Sequence, residues 1–193
     1  MAKIYLILGG ARSGKSSFGE ELATSLPGKT GYLATARITD MEMKKRVDVH
    51  RKRRPADWIT FEIEKEGTDA EELDIIISSM ELNGIKTVIV DCITNLLFRL
   101  IDQYKLDDME IIENKLEEEI EEEVLYYFEY FIQRISKTDL NIIIVSNEIG
   151  MGVVPAYPLG RIFRDLMGMI NKEIAKVSDE AYLFTAGIKQ RLK

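Results

Sequence analysis

Cysteine is all but missing from this chain: Cys92 stands alone among 193 residues. That excludes an intrachain disulfide and any metal centre built from several thiolates. Histidine is equally scarce, so a reaction that needs an imidazole has His50 and no other candidate. Only four prolines occur, and no low-complexity tract, internal repeat or linker-like stretch divides the chain, which reads as one domain over residues 1–193. The apolar runs are all too short to cross a bilayer. An apolar strand-like run begins within three residues of the start and leaves no room for a secretory signal. With the lack of cysteine, this places the expected location in the cytoplasm. Basic charge is also in deficit, 26 Lys and Arg against 33 Asp and Glu, a net charge of −7. A general nucleic-acid binder is therefore not expected.

What the chain does have is Gly9-Gly10-Ala11-Arg12-Ser13-Gly14-Lys15-Ser16, directly after the apolar run Ile4-Tyr5-Leu6-Ile7-Leu8. This is the G-x-x-x-x-G-K-[ST] phosphate loop, which by average residue usage arises by accident in roughly one chain of this length in a hundred. Its glycines let consecutive backbone N–H groups turn inward around phosphate oxygens, and the following helix adds its positive end. Lys15 then reaches the β- and γ-phosphates, and the Ser16 hydroxyl is placed to ligate Mg²⁺. The preceding strand and the helical pattern Phe18, Leu22, Leu26 supply the context that the motif requires.

Further strand-like runs fall at Tyr32 to Thr35, Ile59 to Ile63, Thr87 to Asp91, Ile142 to Ser146 and Tyr182 to Thr185, mostly separated by helical patterns. The expected fold is α/β, a three-layer domain of the P-loop NTPase type with a mainly parallel sheet. Val88-Ile89-Val90 and Ile142-Ile143-Ile144-Val145 are apolar on both faces, as central parallel strands are. Thr39 with Glu42 three residues on reads as a capping box, starting a helix that runs to about Arg54 and stops before Pro55. A long helix is expected from near Asp107 to near Lys137, on the spacing of Met109, Ile112, Leu116, Ile120, Val124, Phe128, Phe131 and Ile135. Its glutamate run at 117–123 reads as a solvated face, and Tyr126, Tyr127 and Tyr130 as core or subunit-interface packing.

Three features carry chemistry beyond the loop. Asp91 closes an apolar strand, where a phosphate-loop site needs its second magnesium carboxylate. His50 lies within the basic segment 44–54, with Arg46, Arg53 and Arg54 at helical spacings of four, three and four. Such cations disfavour the imidazolium and hold phosphates, so His50 is either a neutral nucleophile or an ordinary surface histidine on a basic helix. Finally, the polar, glycine-rich segment from Ser146 to Pro155 follows a central strand at the end where α/β sheets bind ligands.

Taken together the chain resembles the adenosylcobinamide kinase/adenosylcobinamide-phosphate guanylyltransferase family. The resemblance rests on the phosphate loop, Tyr32-Leu33-Ala34-Thr35-Ala36, His50 through Arg54-Pro55 with Trp58, and Asp91-Cys92-Ile93-Thr94 with Asn95-Leu96-Leu97. It extends through Asn147-Glu148-Ile149-Gly150-Met151-Gly152-Val153-Val154-Pro155 and Arg161 to Arg164-Asp165. It implies phosphorylation of adenosylcobinamide with ATP or GTP, followed by transfer of GMP from GTP through a guanylylated histidine at the position of His50. It further implies nucleotide contacts by Gly9 to Ser16, Ala34, Thr35, Ala36, Arg51, Lys52, Arg53, Arg54, Glu62 and Asp91. Glu62 has the chemistry to accept hydrogen bonds from guanine's N1–H and 2-amino group. The partners implied are nucleotide and corrinoid substrates and further copies of the chain, as in a homo-oligomer such as a trimer. One departure stands out: the family usually carries a few residues between the Asp91 and Asn95 segments, which are fused here, next to the acceptor side. A kinase of another small hydroxylated substrate, lacking the transferase, is the alternative. A GTP-dependent switch would carry an Asn-Lys-x-Asp guanine-reading motif, and this chain has none.

Overall fold

The computed structural model describes residues 2–38, 40–63, 70–106 and 109–193, without the side chains of Glu42, Arg46, His50 and Arg53. In chain order the elements are β1 (Ile4–Gly9), α1 (Lys15–Ser25), β2 (Lys29–Ala34), α2 (Met41–Arg53), β3 (Ile59–Glu62), α3 (Ala70–Leu82) and β4 (Ile85–Asp91). There follow α4 (Ile93–Asp102), α5 (Asn114–Ser136), β5 (Asn141–Asn147), α6 (Pro158–Val177), β6 (Glu180–Thr185) and β7 (Ile188–Arg191).

One seven-stranded sheet has the order β3-β2-β4-β5-β1-β6-β7. Every pairing is parallel except the β6–β7 hairpin. The two-faced apolar strands behave as their period demands. Val88, Val90, Ile142 and Ile144 point into a larger core shared with α3, α4, α5 and α6, while Ile89, Ile143 and Val145 point into a smaller one. The smaller core holds Ala23 of α1, with Phe18 and Leu22 packed against it. Helices thus cover both faces, and the strand C-terminal ends bring the loops after β1, β2, β4 and β5 to one edge of the sheet.

Three expectations change. The helix after β2 is capped by Asp40, whose carboxylate accepts from the Met43 N–H, and it begins at Met41. Thr39 and the Glu42 side chain, the two halves of the expected capping box, lie outside what the structure describes. Aspartate one residue later satisfies an orphan helix amide on its own. The helix does end where expected, with Arg54 as its extended cap before Pro55.

The long helix starts at Asn114, well after the expected start near Asp107, which itself lies outside the described residues. Met109 donates its N–H to the Leu106 carbonyl; Leu106 and Ile112 are both buried while Met109 and Ile111 remain exposed. Packing of those two apolar anchors overrides a periodicity that only Met109 and Ile112 carried in this stretch. Farther along, Ile120, Val124, Phe128, Phe131 and Ile135 are buried as the spacing requires, and Leu116 is half-buried. Tyr127 is core, Tyr126 is exposed, and the Tyr130 hydroxyl donates to Asp74 of α3. The last strand, β7, was not expected from sequence. Its residues are all exposed, and Ala186 (φ +51°) and Gly187 (φ +81°) form the tight hairpin turn that leads into it.

Candidate nucleotide site

The loop between β1 and α1 is built for an anion. Arg12 (φ +58°) and Gly14 (φ +98°) adopt left-handed backbone conformations that turn the chain around the loop. A Cβ on Gly9 would sit 2.6 Å from Ser13 Oγ and 2.7 Å from the Phe184 carbonyl oxygen, so only glycine fits there. Gly14 is the N-cap of α1 and offers no side-chain cap, which leaves the first helix amides available to a ligand. Ser13 is 7% exposed, and its hydroxyl is buried without a hydrogen-bond partner among the described residues. Buried orphan hydroxyls are rare, and a phosphate oxygen is the partner this one lacks.

Lys15 is 8% exposed and donates from Nζ to the Gly10 carbonyl at 2.9 Å. Burial holds its ammonium below the ordinary lysine range, against the opposing influence of Cys92 and Asp91 nearby. Burial likewise pushes the Cys92 thiol up to about 11, so this sulfur is inert packing beside the site.

Asp91 ends β4 and is half-buried. In the β2–β4 register Tyr32 lies opposite Ile89, so Asp91, two residues on, shares its face of the sheet. The Tyr32 hydroxyl donates to Asp91 Oδ2 at 2.6 Å. Burial, followed by the Asp91 charge, raises the Tyr32 pKa well above the usual phenol range and keeps it a donor. Neither Asp91 Oδ1 nor the Ser16 hydroxyl is engaged in a hydrogen bond among the described residues. A carboxylate oxygen and a hydroxyl, both hard oxygen donors facing one cleft, fit Mg²⁺ that also takes phosphate oxygens and water. No cluster of three or more His, Cys, Asp or Glu occurs among the described residues to form a separate metal site.

The cleft encloses about 1000 Å³. Its walls include the loop from Ala11 to Ser17, Ala34 at the end of β2 and Ala36 beyond it, Asp91 and Cys92, and α2 with its cap through Val47, Val49, Arg51 and Arg54. His50 lies on α2 among these residues, and its side chain, like those of Arg46 and Arg53, is outside the description. Arg54 lays its guanidinium 3.3 Å over the Tyr32 ring and donates to Thr60 Oγ1 at 3.3 Å. Arg51 forms an ion pair with Glu62 across the cleft rim.

Not every expected residue meets the cleft. Thr35 is fully buried and donates to the Cys92 carbonyl at 2.7 Å, so it ties the end of β2 to that of β4. Lys52 is exposed and does not line the cleft, and Gly9 and Gly10 shape the loop from behind Ala11. Arg37, Asn95, Arg99 and Asn147 line it as well; of these, only Asn147 lies in a segment that the sequence marked for ligand binding, the one from Ser146 to Pro155. Arg37 pairs with Asp102 at 3.0 Å, and Arg99 donates to the Ile63 carbonyl at 3.0 Å. Asn147 is held by its N–H on Thr94 Oγ1 at 3.2 Å and by Asn171 Nδ2 on its carbonyl at 3.0 Å. A strand-end asparagine was the available signal for Asn147; Arg37, Asn95 and Arg99 gave none, because only the tertiary fold turns them inward.

Residues 5–192 match the family model described as cobinamide kinase / cobinamide phosphate guanyltransferase. The bifunctional adenosylcobalamin biosynthesis protein CobU of Salmonella typhimurium LT2 is 34% identical, the match covering 98% of this chain and 99% of that protein. CobU of Escherichia coli K12 is 32% identical over the same shares. The bifunctional protein CobP of Pseudomonas aeruginosa PAO1 is 35% identical, over 97% of this chain and 96% of the relative. Among solved structures, one from Pyrococcus horikoshii OT3 superposes with a TM-score of 0.56 at 10% identity, covering 99% of this chain and 86% of that one. An ATPase of the type III secretion system of pathogenic bacteria gives 0.51 at 11% identity, over 95% and 51% of the respective chains. These two likenesses concern the fold, a P-loop NTPase-type sheet with its helices.

Proposed function

We propose a reaction course from one premise: this chain belongs to the cobinamide kinase / cobinamide phosphate guanyltransferase family. It is a bifunctional enzyme of cobalamin biosynthesis, and in our reading a single cleft serves both of its reactions. The observation that carries this is the shared lining: the phosphate loop, Asp91 and the α2 residues that flank His50 face one cavity.

In the kinase step the loop amides, the Ser13 hydroxyl and Lys15 grip the phosphates of ATP or GTP. The side-chain hydroxyl of adenosylcobinamide attacks the γ-phosphorus, the bond to the β-bridging oxygen breaks, and the nucleoside diphosphate leaves. Positioning and charge compensation supply the catalysis. Ser16 and Asp91 are the residues that would hold Mg²⁺, which when bound neutralises charge on the phosphate oxygens.

In the transferase step His50 attacks the α-phosphorus of GTP and pyrophosphate departs. The GMP is then carried on the imidazole until the phosphate oxygen of adenosylcobinamide phosphate displaces it, giving adenosyl-GDP-cobinamide. Dividing the transfer in two replaces one hard displacement by two easier ones. Arg51 and Arg54, which line the cleft, would neutralise charge at that phosphorus. Glu62 pairs with Arg51, and its carboxylate has the acceptors to read the guanine edge. The chain works in the cytoplasm as a homo-oligomer in this reading.

The test is incubation with adenosylcobinamide, GTP and Mg²⁺, with products identified by mass. Sequential appearance of the phosphate and the GDP adduct is expected. Accumulation of the phosphate alone would favour the kinase-only alternative, and no corrinoid product would reject the reading.

A further inference from the structure

We propose that Tyr32 is a positioning residue for the metal–nucleotide complex, acting through Asp91, an inference that rests on Asp91 being the magnesium carboxylate. Tyr32 is 2% exposed on β2, on the same face as Thr30 and Ala34. A core aromatic needs no hydroxyl, and this one carries its oxygen to the one carboxylate that ends β4, 2.6 Å from Oδ2. That bond engages one oxygen and orients the group, leaving Oδ1 unengaged among the described residues.

The ring is itself held on more than one side chain. Arg54 stacks its guanidinium 3.3 Å from the ring centroid, and Trp58 stacks at 6.5 Å between centroids with planes 28° apart. Arg54 is the cap of α2, one turn beyond His50, so the contact runs from the end of the histidine helix through a phenol to a phosphate-site carboxylate. Groups that hold a metal ligand by a hydrogen bond fix its orientation, and their loss costs about 10–100-fold in metal affinity.

Tyr32→Phe keeps the stacked ring and removes only the donor. The measurement is Mn²⁺ affinity by electron paramagnetic resonance, on the full chain with a non-hydrolysable GTP analogue, beside analogue affinity in EDTA. Tyr32→Phe is expected to weaken Mn²⁺ at least about tenfold, with analogue affinity in EDTA within about twofold of the parent. Unchanged Mn²⁺ affinity in Tyr32→Phe, with clear weakening in Asp91→Asn, overturns the role of Tyr32 and leaves Asp91 as a ligand. Unchanged Mn²⁺ affinity in Asp91→Asn overturns the reading of Asp91 and this proposal together. Equal losses of metal and metal-free nucleotide binding in Tyr32→Phe would show a collapsed pocket and also reject the proposal. Unliganded melting within a few degrees of the parent establishes that the variant is folded. If it is not, Asp91→Glu serves, since it keeps both groups but changes their separation. It should weaken Mn²⁺ about as much, and parent-like affinity would contradict the account.

Discussion

Replacing Lys15 with methionine should make the protein more stable and nearly inactive, a pairing that separates a functional cation from a structural one. Lys15 is almost wholly buried, donates one hydrogen bond to the Gly10 carbonyl, and makes no ion pair among the described residues. Burial opposes its charge in the folded state, which lowers its pKa. Methionine has similar length and no charge to desolvate, so we expect a gain of about 1 kcal/mol, from the balance seen when buried charges give way to apolar side chains. In a domain of this size that raises Tm by about 3 °C. Turnover should move the other way, by about 10²–10³-fold, the usual cost of removing one preorganised charge-stabilising donor. The stability difference should also depend on pH. Folded Lys15 releases its proton below its ordinary value near 10.5, so between the lowered value and 10.5 the unfolded chain binds more protons. Parent stability therefore rises with pH across that window, and the advantage of Lys15→Met shrinks. Thermal melts from pH 7 to 10.5 and single-turnover phosphorylation measure both effects. A destabilised variant, or one that phosphorylates at near-parent rate, would refute the reasoning.

Other outcomes follow from the same geometry. Glu62→Gln should lower the preference for GTP over ATP, measured as the ratio of kcat/KM values, and an unchanged ratio would remove Glu62 as a base reader. Phe131→Ala, which empties a fully buried site on α5 in the larger core, should cost about 3–5 kcal/mol in denaturant unfolding. Thr35→Val should lower stability by about 1 kcal/mol through loss of the Thr35 bond to the Cys92 carbonyl, with nucleotide affinity little changed.

The legible parts of this chain were those where a local pattern has one physical meaning. Glycines flanking Gly14-Lys15-Ser16 after a strand specified a phosphate loop, and apolar residues on both faces of β4 and β5 specified central parallel strands. The family resemblance seen in the motifs is matched by relatives along nearly the whole chain. Illegible parts depended on contacts distant in sequence. Tyr32 and Asp91 are 59 residues apart, and only the adjacency of β2 and β4 brings phenol to carboxylate. The resemblance implied a nucleotide contact for Thr35, whose hydroxyl donates instead to the Cys92 carbonyl inside the fold. The start of α5 was misplaced because Leu106 and Ile112 are buried without a helix over 109–113, a spacing that periodicity alone cannot distinguish from a helical one. A polar edge strand such as β7 carries no alternation to read.

The central claim is that His50 carries GMP between GTP and the acceptor. Incubation with α-labelled GTP and Mg²⁺, without corrinoid, should leave label on the protein in a bond that is labile to acid and stable to base, as a phosphorus–nitrogen link is. Peptide mapping should place it on His50, the only histidine in the chain. His50→Ala should abolish the adduct and GMP transfer while retaining much of the phosphorylation of adenosylcobinamide. An adduct that persists in His50→Ala, or GMP transfer at parent rate in that variant, would contradict the account.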